Sequence, residues 1–350
     1  MGADGVRPTP VKVSEWWQAR RVKTRYIIAG AVAAVVGVGA AVAAPSSVDP
    51  PATSPPPEQL VAAAAEAVLE GRPQAGWVRA KLDLGLPDLP QVGLGSLPTD
   101  TSARLWREGV FVRVSEALPF GERSLVSGPS GTWTWDSDGF SSRRLGPNAG
   151  PLLLPASVAD PRTLATQALN ALTPSTAVSS GHPAVVAGRG VHVLVLRPRT
   201  GETLIGRVEL SLDAARQVPL GVAVFSRGAE SPSITVAFES VSFEAIPNEI
   251  FDFRPPAGSR ARSGVEGGEA GGQVGAQGGG LFEGMRLLGS GWGPAAAMPL
   301  EGEASPIPPE LLPFQGDLIT ADIITVGSTR WLVAGPVPLE RLHVLARELE

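Results

Sequence analysis

The stretch GRVELSLDAARQVPLGVAVF, residues 206–225, decides the fold of this chain. Val208, Leu210 and Leu212 alternate with polar residues, and this period of two predicts an antiparallel strand with one apolar face and one solvated face. The polar residues predicted to point away from the core are Arg207, Glu209, Ser211 and Asp213. A turn and the apolar run Pro219–Phe225 follow, which predicts a hairpin.

The same kind of pattern extends in both directions from this hairpin. Short apolar runs separated by turn residues predict about ten strands. They lie near Trp77–Leu84, Arg104–Glu108, Val110–Ala117, Glu122–Ser127, Thr132–Asp136, Phe140–Leu145, Ala184–Ala187, Val191–Arg197, Thr203–Asp213, Pro219–Phe225 and Ser233–Phe243. In the last of these the apolar phase slips by one residue after Phe238, which predicts a β-bulge near Glu239–Ser240.

Two helices are predicted around this sheet. Residues 58–70 carry an apolar stripe, and residues 160–172 begin with Asp160-Pro161, a favourable N-cap and first-turn pair. The predicted fold class is mainly β (α+β): a curved antiparallel sheet or incomplete β-barrel, covered by these helices.

The N-terminal region has the features of a membrane tether. Residues 1–25 hold six basic and two acidic residues, and residues 26–44 (Tyr26 to Ala44) carry no charge. A helix of that length spans about 28 Å, close to the thickness of the hydrocarbon core, and the basic side stays in the cytoplasm. A cleaved signal peptide and a soluble buried helix are the alternatives. The Pro-rich residues 45–57 then act as a spacer, and the main domain, residues 58–260, is expected outside the cytoplasm at the cell membrane.

The C-terminal part is separated by a second linker. Residues 261–280 are rich in Gly and predict a flexible connection. Residues 281–350 are predicted to form a small module, with a hairpin made by Leu318–Thr325 and Arg330–Val333 and a helix that starts after Pro338.

The sequence offers no recognisable catalytic site. The chain has no Cys, which excludes disulfides and Cys-ligated metals. His182, His192 and His343 are far apart, and the best interpretation of Asp136–Gly139 is a hairpin turn rather than a calcium loop. The net charge of −5 divides into +4 in residues 1–25 and −9 in the rest of the chain, and an acidic main part argues against nucleic-acid binding. We therefore expect a protein that is not an enzyme, with no cofactor, no metal and no catalytic residue.

Three tryptophans and five aliphatic residues are candidates for a binding cavity. Trp133 and Trp135 are two residues apart and so share one face of the sheet. Either these side chains pack in the core, or they line an apolar cavity. The candidates are Trp106, Trp133, Trp135, Val208, Leu210, Leu212, Val222 and Val224.

Several of these stretches resemble the LolA-like superfamily. The similar stretches are DPRTLATQALNALTPST (160–176), VAGRGVHVLVLRP (186–198), residues 206–225, FESVSFEAIPNEIFDFRPPAG (238–258), RLWREGVFVRVSEA (104–117) and TWTWDS (132–137). The resemblance covers about residues 58–260. The final stretch, residues 320–350, resembles the end of the RseB/MucB proteins, which are relatives of LolA with an additional C-terminal domain.

The resemblance implies an incomplete β-barrel closed by helices around a hydrophobic cavity for acyl chains. It implies a lipid or an acylated lipoprotein as ligand, or, as in RseB, a membrane-bound anti-sigma factor as partner. Four hypotheses remain open: a tethered acyl-chain binder, a regulator that acts through protein contact, a structural envelope domain with a filled core, and an enzyme.

Overall fold

The structure, a computed structural model, describes residues 48–84, 100–145, 160–263, 285–300 and 311–350. The larger part consists of two helices, α1 (Pro57–Glu70) and α2 (Pro161–Asn170), and thirteen strands. The strands are β1 (Gln74–Leu82), β2 (Asp100–Glu108), β3 (Phe111–Leu118), β4 (Gly121–Gly128), β5 (Gly131–Asp136), β6 (Ser141–Arg144), β7 (Thr176–Ser180), β8 (Ala184–Val186), β9 (Arg189–Pro198), β10 (Ile205–Asp213), β11 (Pro219–Ser226), β12 (Ile234–Ser242) and β13 (Arg260–Ser263).

These strands form one open sheet, which we call the main sheet. Its order is β13-β6-β5-β4-β3-β2-β1-β12-β11-β10-β9-β7, and β8 continues the β7 edge of β9. All pairs are antiparallel except β13 with β6, which is parallel. Among the described residues the two ends of this order do not pair, so the sheet is open and is not a closed barrel.

The remaining elements belong to the C-terminal part of the chain. A five-stranded sheet has the order β14-β15-β18-β17-β16. Its strands are β14 (Arg286–Leu288), β15 (Ala295–Leu300), β16 (Phe314–Gln315), β17 (Thr320–Val326) and β18 (Thr329–Gly335), and helix α3 (Leu339–Ala346) packs on it. The hairpin and the helix predicted for this region are confirmed, whereas β14, β15 and β16 are not foreseen by the sequence pattern.

The hairpin that decides the fold is present as predicted. β10 pairs with β11, and Leu210 lies opposite Val222. The predicted bulge is confirmed as well, because Trp77 of β1 pairs with Ser240 while its neighbour Val78 pairs with Phe238, which leaves Glu239 as the extra residue of β12.

Asp213 departs from the predicted pattern. The alternation of β10 places it on the solvated side, but it is buried. Its carboxylate forms an ion pair with Arg189 and accepts the backbone N–H groups of Ala215 and Arg216 in the turn after β10. These partners replace the hydrogen bonds that water would make to the carboxylate. Asp213 can therefore be buried at the end of β10, although the alternation predicts that it faces solvent.

The register divides the side chains of the main sheet between two faces, because paired residues share a face. The helix face includes Leu210, its partners Leu194 and Val222, and, further along the sheet, residues such as Val78 and Leu105. The opposite face, which we call the tryptophan face, includes Trp106, Val126, Trp133 and Trp135. The two helices lie over one half of the helix face, and the chain around residues 246–253 lies over the tryptophan face.

Candidate functional site

The helix face carries a continuous apolar core over β9, β10 and β11. Val208, Leu210, Leu212 and Val222 are buried there, and Val224 is half-buried beside them. The structure therefore brings together the five aliphatic residues predicted for a cavity, on neighbouring strands and on one face. Their cross-strand partners on β9 are His192, Leu194 and Leu196.

The two helices that cover this core contact it through Ala side chains as well as Leu and Val. α1 contributes Leu60, Val61 and Ala64, and α2 contributes Ala165, Ala168 and Leu169. These side chains occupy the space above the sheet, so the core is packed. Because Ala buries far less apolar surface than Leu or Phe, each helix is held to the sheet by fewer buried methylenes than a Leu-rich helix would be.

The three predicted tryptophans lie on the opposite face. Trp133 packs edge-on against Phe253 with ring centroids 5.4 Å apart, and Trp135 packs in the same manner on Phe140 at 5.5 Å. Trp106 lies under the guanidinium groups of Arg104 and Arg113. The eight candidates thus form two separate groups with the sheet between them, and they do not surround one common space.

Helix α1 is fixed firmly at its C-terminal end. The guanidinium of Arg162 donates hydrogen bonds to the carbonyl oxygens of Val68 and Gly109. Gly109 in turn donates its N–H to the carbonyl of Gly71, at 2.7 Å. A Cβ on Gly71, whose φ is +68°, would lie 2.7 Å from the Cα of Gly109, so this close approach needs glycine.

The start of α2 belongs to the same junction. Asp160 accepts the N–H of Arg162 at 3.1 Å and forms a buried ion pair with Arg107 at 2.5 Å. The C-terminal end of α1, the turn between β2 and β3, and the N-terminal end of α2 are therefore joined by one polar network.

The N-terminal end of α1 has fewer polar contacts. The residue before the helix is Pro56, and no side chain caps the helix there. A side-chain hydrogen bond holds the preceding segment to the sheet: Ser180 Oγ donates to the carbonyl of Pro55 at 2.9 Å. Pro51 also lies against Gly190, where a Cβ would come within 3.1 Å of the proline ring.

The end of the core near β7 and the start of β10 is closed by a residue from the C-terminal part. Trp292 is 5% exposed and belongs to the same apolar cluster as Leu196 and Val208. Its indole N–H donates to Thr176 Oγ1 at 2.8 Å, and its carbonyl accepts from Thr203 Oγ1 at 2.7 Å. The backbone N–H of Leu204 also donates to the carbonyl of Pro336 at 2.8 Å. The C-terminal part is thus attached to the main sheet at this end of the core.

The three histidines have different environments. His182 and His343 are exposed, and His343 Nε2 lies 2.7 Å from a carboxylate oxygen of Asp322. His192 is 8% exposed and lies on the helix face beside Leu212, which confirms that it points away from Val191 and Val193. Its Nδ1 is buried without a hydrogen-bond partner, and burial lowers the pKa of its imidazole.

The described residues contain no group of three or more His, Asp or Glu side chains that could hold a metal ion. Asp136–Gly139 forms the predicted turn, in which Asp136 Oδ1 accepts the N–H groups of Asp138 and Gly139. Two surface grooves, of about 450 Å³ beside β17 and α3 and about 380 Å³ near Lys81 and Pro232, lie away from the aliphatic core.

The sequence did not single out His192 or Trp292 as members of this core. His192 occupies an alternating position in a strand, and that pattern fixes its face but not its burial. Trp292 follows the Gly-rich linker in a stretch without periodicity, so only its size and aromaticity indicated a buried role.

The predicted membrane segment, residues 26–44, lies outside the described residues, as do residues 1–25. No helix within the described ranges is both long and apolar enough to cross a bilayer. The tether and the division of the chain into six segments remain predictions.

Comparison with known proteins gives matches at the level of structure. No family model and no curated protein matches the chain. A crystal structure of MucB aligns with a TM-score of 0.47 and 17% identity, over 83% of this chain and 96% of MucB. The Pseudomonas aeruginosa MucA/MucB complex gives 0.45 and 16%, over 83% of this chain and 96% of its match. A LolA superfamily protein from Nitrosomonas europaea gives 0.24 and 11%, over 57% of this chain and 99% of that chain. The similar structures thus include MucB and LolA-superfamily proteins, the two groups that the sequence resembles.

Proposed function

We propose that this chain is a membrane-tethered extracytoplasmic protein that binds an acyl chain of a lipid or lipoprotein without catalysis. The hydrocarbon lies on the helix face of the main sheet, between α1 and strands β9 to β11. The observation that carries this proposal is the asymmetric attachment of an Ala-containing helix over a continuous aliphatic surface.

An acyl chain can replace the helix contacts because the exchange is between similar apolar surfaces. Lifting the N-terminal half of α1 opens its packing against β7, β9 and β11 and exposes Leu60, Val61 and Ala64. A sixteen-carbon chain that fills the gap contributes on the order of 0.8 kcal/mol for each buried methylene before the costs of binding. The hydrogen-bonded junction at Gly71 and Arg162 then serves as the hinge, because it holds the other end of α1.

The tryptophan face is a less favourable acyl site. Its aromatic rings are already paired with Phe140 and Phe253, and its polar groups interact with one another: Ser115 Oγ lies 3.0 Å from Ser124 Oγ, and Arg113 donates to Ser115 at 3.3 Å. An acyl chain placed there would bury these polar groups without hydrogen-bond partners of its own.

Photo-crosslinking tests the site in the full chain. Membranes containing the protein are loaded with a diazirine-bearing palmitate, irradiated and digested, and the labelled peptides are identified by mass spectrometry. We expect label in α1 and in β9 to β11. Val222→Gln should reduce it at least tenfold, and Val126→Gln, an equally buried valine of the tryptophan face, should not.

Label confined to residues 26–44 would contradict the proposal. It would favour the structural envelope domain with a filled core, since the membrane segment meets the lipid in any case.

A second candidate function is a regulator that binds an anti-sigma factor through the C-terminal part. The observation that favours it is the attachment of that part to the end of the aliphatic core, where Trp292 packs and hydrogen-bonds to Thr176 and Thr203. Removal of residues 281–350 should then abolish the regulated transcriptional response and leave palmitate labelling of β9 to β11 in place. An unchanged response would contradict this role.

A further inference from the structure

The end of the aliphatic core near the start of β9 contains two buried polar atoms without partners. One is Nδ1 of His192, whose side chain stands beside Leu212 on the helix face. The other is Oγ of Ser54, in the segment that precedes α1. Unpaired polar atoms are uncommon in protein interiors, and each therefore requires an explanation.

Contacts of the chain place both atoms at the same end of the core. Ser54 lies between Pro51, which packs on Gly190, and Pro55, whose carbonyl accepts from Ser180. Gly190 is two residues before His192, and Ser180 pairs with Leu194, two residues after it. The segment that carries Ser54 therefore runs from Gly190 of β9 to Ser180 of β7, and it passes His192 on the way.

The two atoms have matching chemistry. Burial lowers the pKa of His192, so its imidazole is neutral near pH 7 and carries one N–H, which can be on Nδ1. The hydroxyl of Ser54 supplies a second donor. Two donors at the edge of an apolar core are suited to one carbonyl or carboxylate group, whose oxygen atoms accept both hydrogen bonds.

We propose that His192 Nδ1 and Ser54 Oγ bind the carbonyl oxygens of the acyl ligand, and that its hydrocarbon runs from there along β9 towards Trp292. This inference rests on the proposed function and adds the position and the chemical class of the polar end. The shared chemistry is an acyl carbonyl, either the carboxylate of a free fatty acid or the ester of an acylated lipid.

The dimensions of the core agree with this orientation. From His192 to Pro198, which pairs with Thr176 beneath Trp292, β9 spans six residues, or roughly 20 Å at the usual rise of a strand. That is the scale of an extended sixteen-carbon chain. The carbonyl end lies at the N-terminal side of α1, where this helix has its weaker attachment, so the ligand enters with its polar group last.

The test compares three ligands on the full chain in membranes, each competing with the diazirine-bearing palmitate: palmitate, methyl palmitate and hexadecane. In His192→Phe, which keeps an aromatic ring without nitrogen, we expect palmitate to compete about tenfold less well, the effect of one lost hydrogen bond to a charged acceptor. Hexadecane should compete equally well against both proteins.

Two further variants separate a hydrogen bond from a change in packing. Asn places its amide nitrogen near the position of Nδ1, whereas Gln places it near Nε2, so His192→Asn should restore most of the palmitate affinity and His192→Gln should not. Ser54→Ala, which removes a single oxygen atom from a segment outside the helices and strands, should lower palmitate affinity several-fold and leave hexadecane unchanged.

The outcomes distinguish this inference from the function on which it rests. If palmitate labels β9 to β11 equally in the parent protein, His192→Phe and Ser54→Ala, the polar end is elsewhere and the inference is overturned, while acyl binding stands. If none of the ligands reaches β9 to β11 in the parent protein, the proposed function fails. If only palmitate competes less well in the variants than in the parent protein, the ligand is a free fatty acid. If methyl palmitate also competes less well, the ligand is an ester.

Discussion

The two faces of the main sheet are buried by different means. The tryptophan face is covered by an irregular segment that inserts large rings, with Phe251 against Phe111 and Val126, and Phe253 against Trp133. The helix face is covered by two helices that contribute several alanines. An Ala side chain buries much less apolar surface than a Phe ring, so the alanines of the helices contribute less to holding the cover than the rings do. Under the proposed function, the tryptophan face is structural and the helix face exchanges its cover for a ligand.

The largest expected effect is on the tryptophan face. Phe251 is 1% exposed, and Phe251→Ala should lower the free energy of unfolding by about 3–5 kcal/mol through lost burial and the cavity left behind. Chemical denaturation followed by tryptophan fluorescence measures it. Phe120→Ala, at a 95% exposed position, is the control and should change stability by less than about 0.5 kcal/mol. Equal stability of the two variants would show that residues 246–253 do not hold this face.

A truncation on the helix face should have a somewhat smaller effect that a ligand reverses. Leu210→Ala removes a fully buried side chain and should cost about 2–5 kcal/mol. Because the cavity lies where we place the hydrocarbon, saturating palmitate should recover more stability in this variant than in the parent protein. Thermal unfolding with and without palmitate measures the recovery. Phe251→Ala should show no additional recovery, and a similar gain in both variants would remove the distinction between the faces.

The sequence reveals the architecture better than it reveals this distinction. Alternation in residues 206–225 and the phase slip after Phe238 follow from local geometry, and both appear in the structure. The separation of Trp133 from Leu210 depends on pairing through seven intervening strand contacts, and one strand's period does not specify which face of another strand it shares. The sequence pattern does not predict strand β7 for a related reason. Thr176–Ser180 is short and polar, and its strand conformation comes from pairing with β9.

The hydrogen bonds at the two ends of α1 should contribute unequally to the free energy of unfolding. Arg162→Leu removes the hydrogen bonds to Val68 and Gly109 and should cost about 1.5–3 kcal/mol, as is usual for a charged donor. Ser180→Ala removes the bond to Pro55 and should cost only about 0.5–1.5 kcal/mol. Amide hydrogen exchange should show faster opening of the first half of α1 in Ser180→Ala, with Gly71 and the β2–β3 turn unchanged. Uniform opening of the helix in both variants would contradict a hinge at its C-terminal end.

The smallest effect is a pH dependence that belongs to the helix face alone. Burial lowers the pKa of His192 in the folded protein below its ordinary value of 6.5, so the unfolded chain takes up the proton first as the pH falls. The contribution of the neutral imidazole to stability is complete above about pH 6.5 and declines as the pH falls from there towards the lower folded-state pKa. His192→Asn should flatten this part of the stability curve, measured by denaturation between pH 5 and 8. His182→Asn, which removes an exposed histidine, is the matched control and should keep the slope. If both variants keep the slope, other groups produce the acid sensitivity. The neutral His192 at the edge of the aliphatic core is then not its cause.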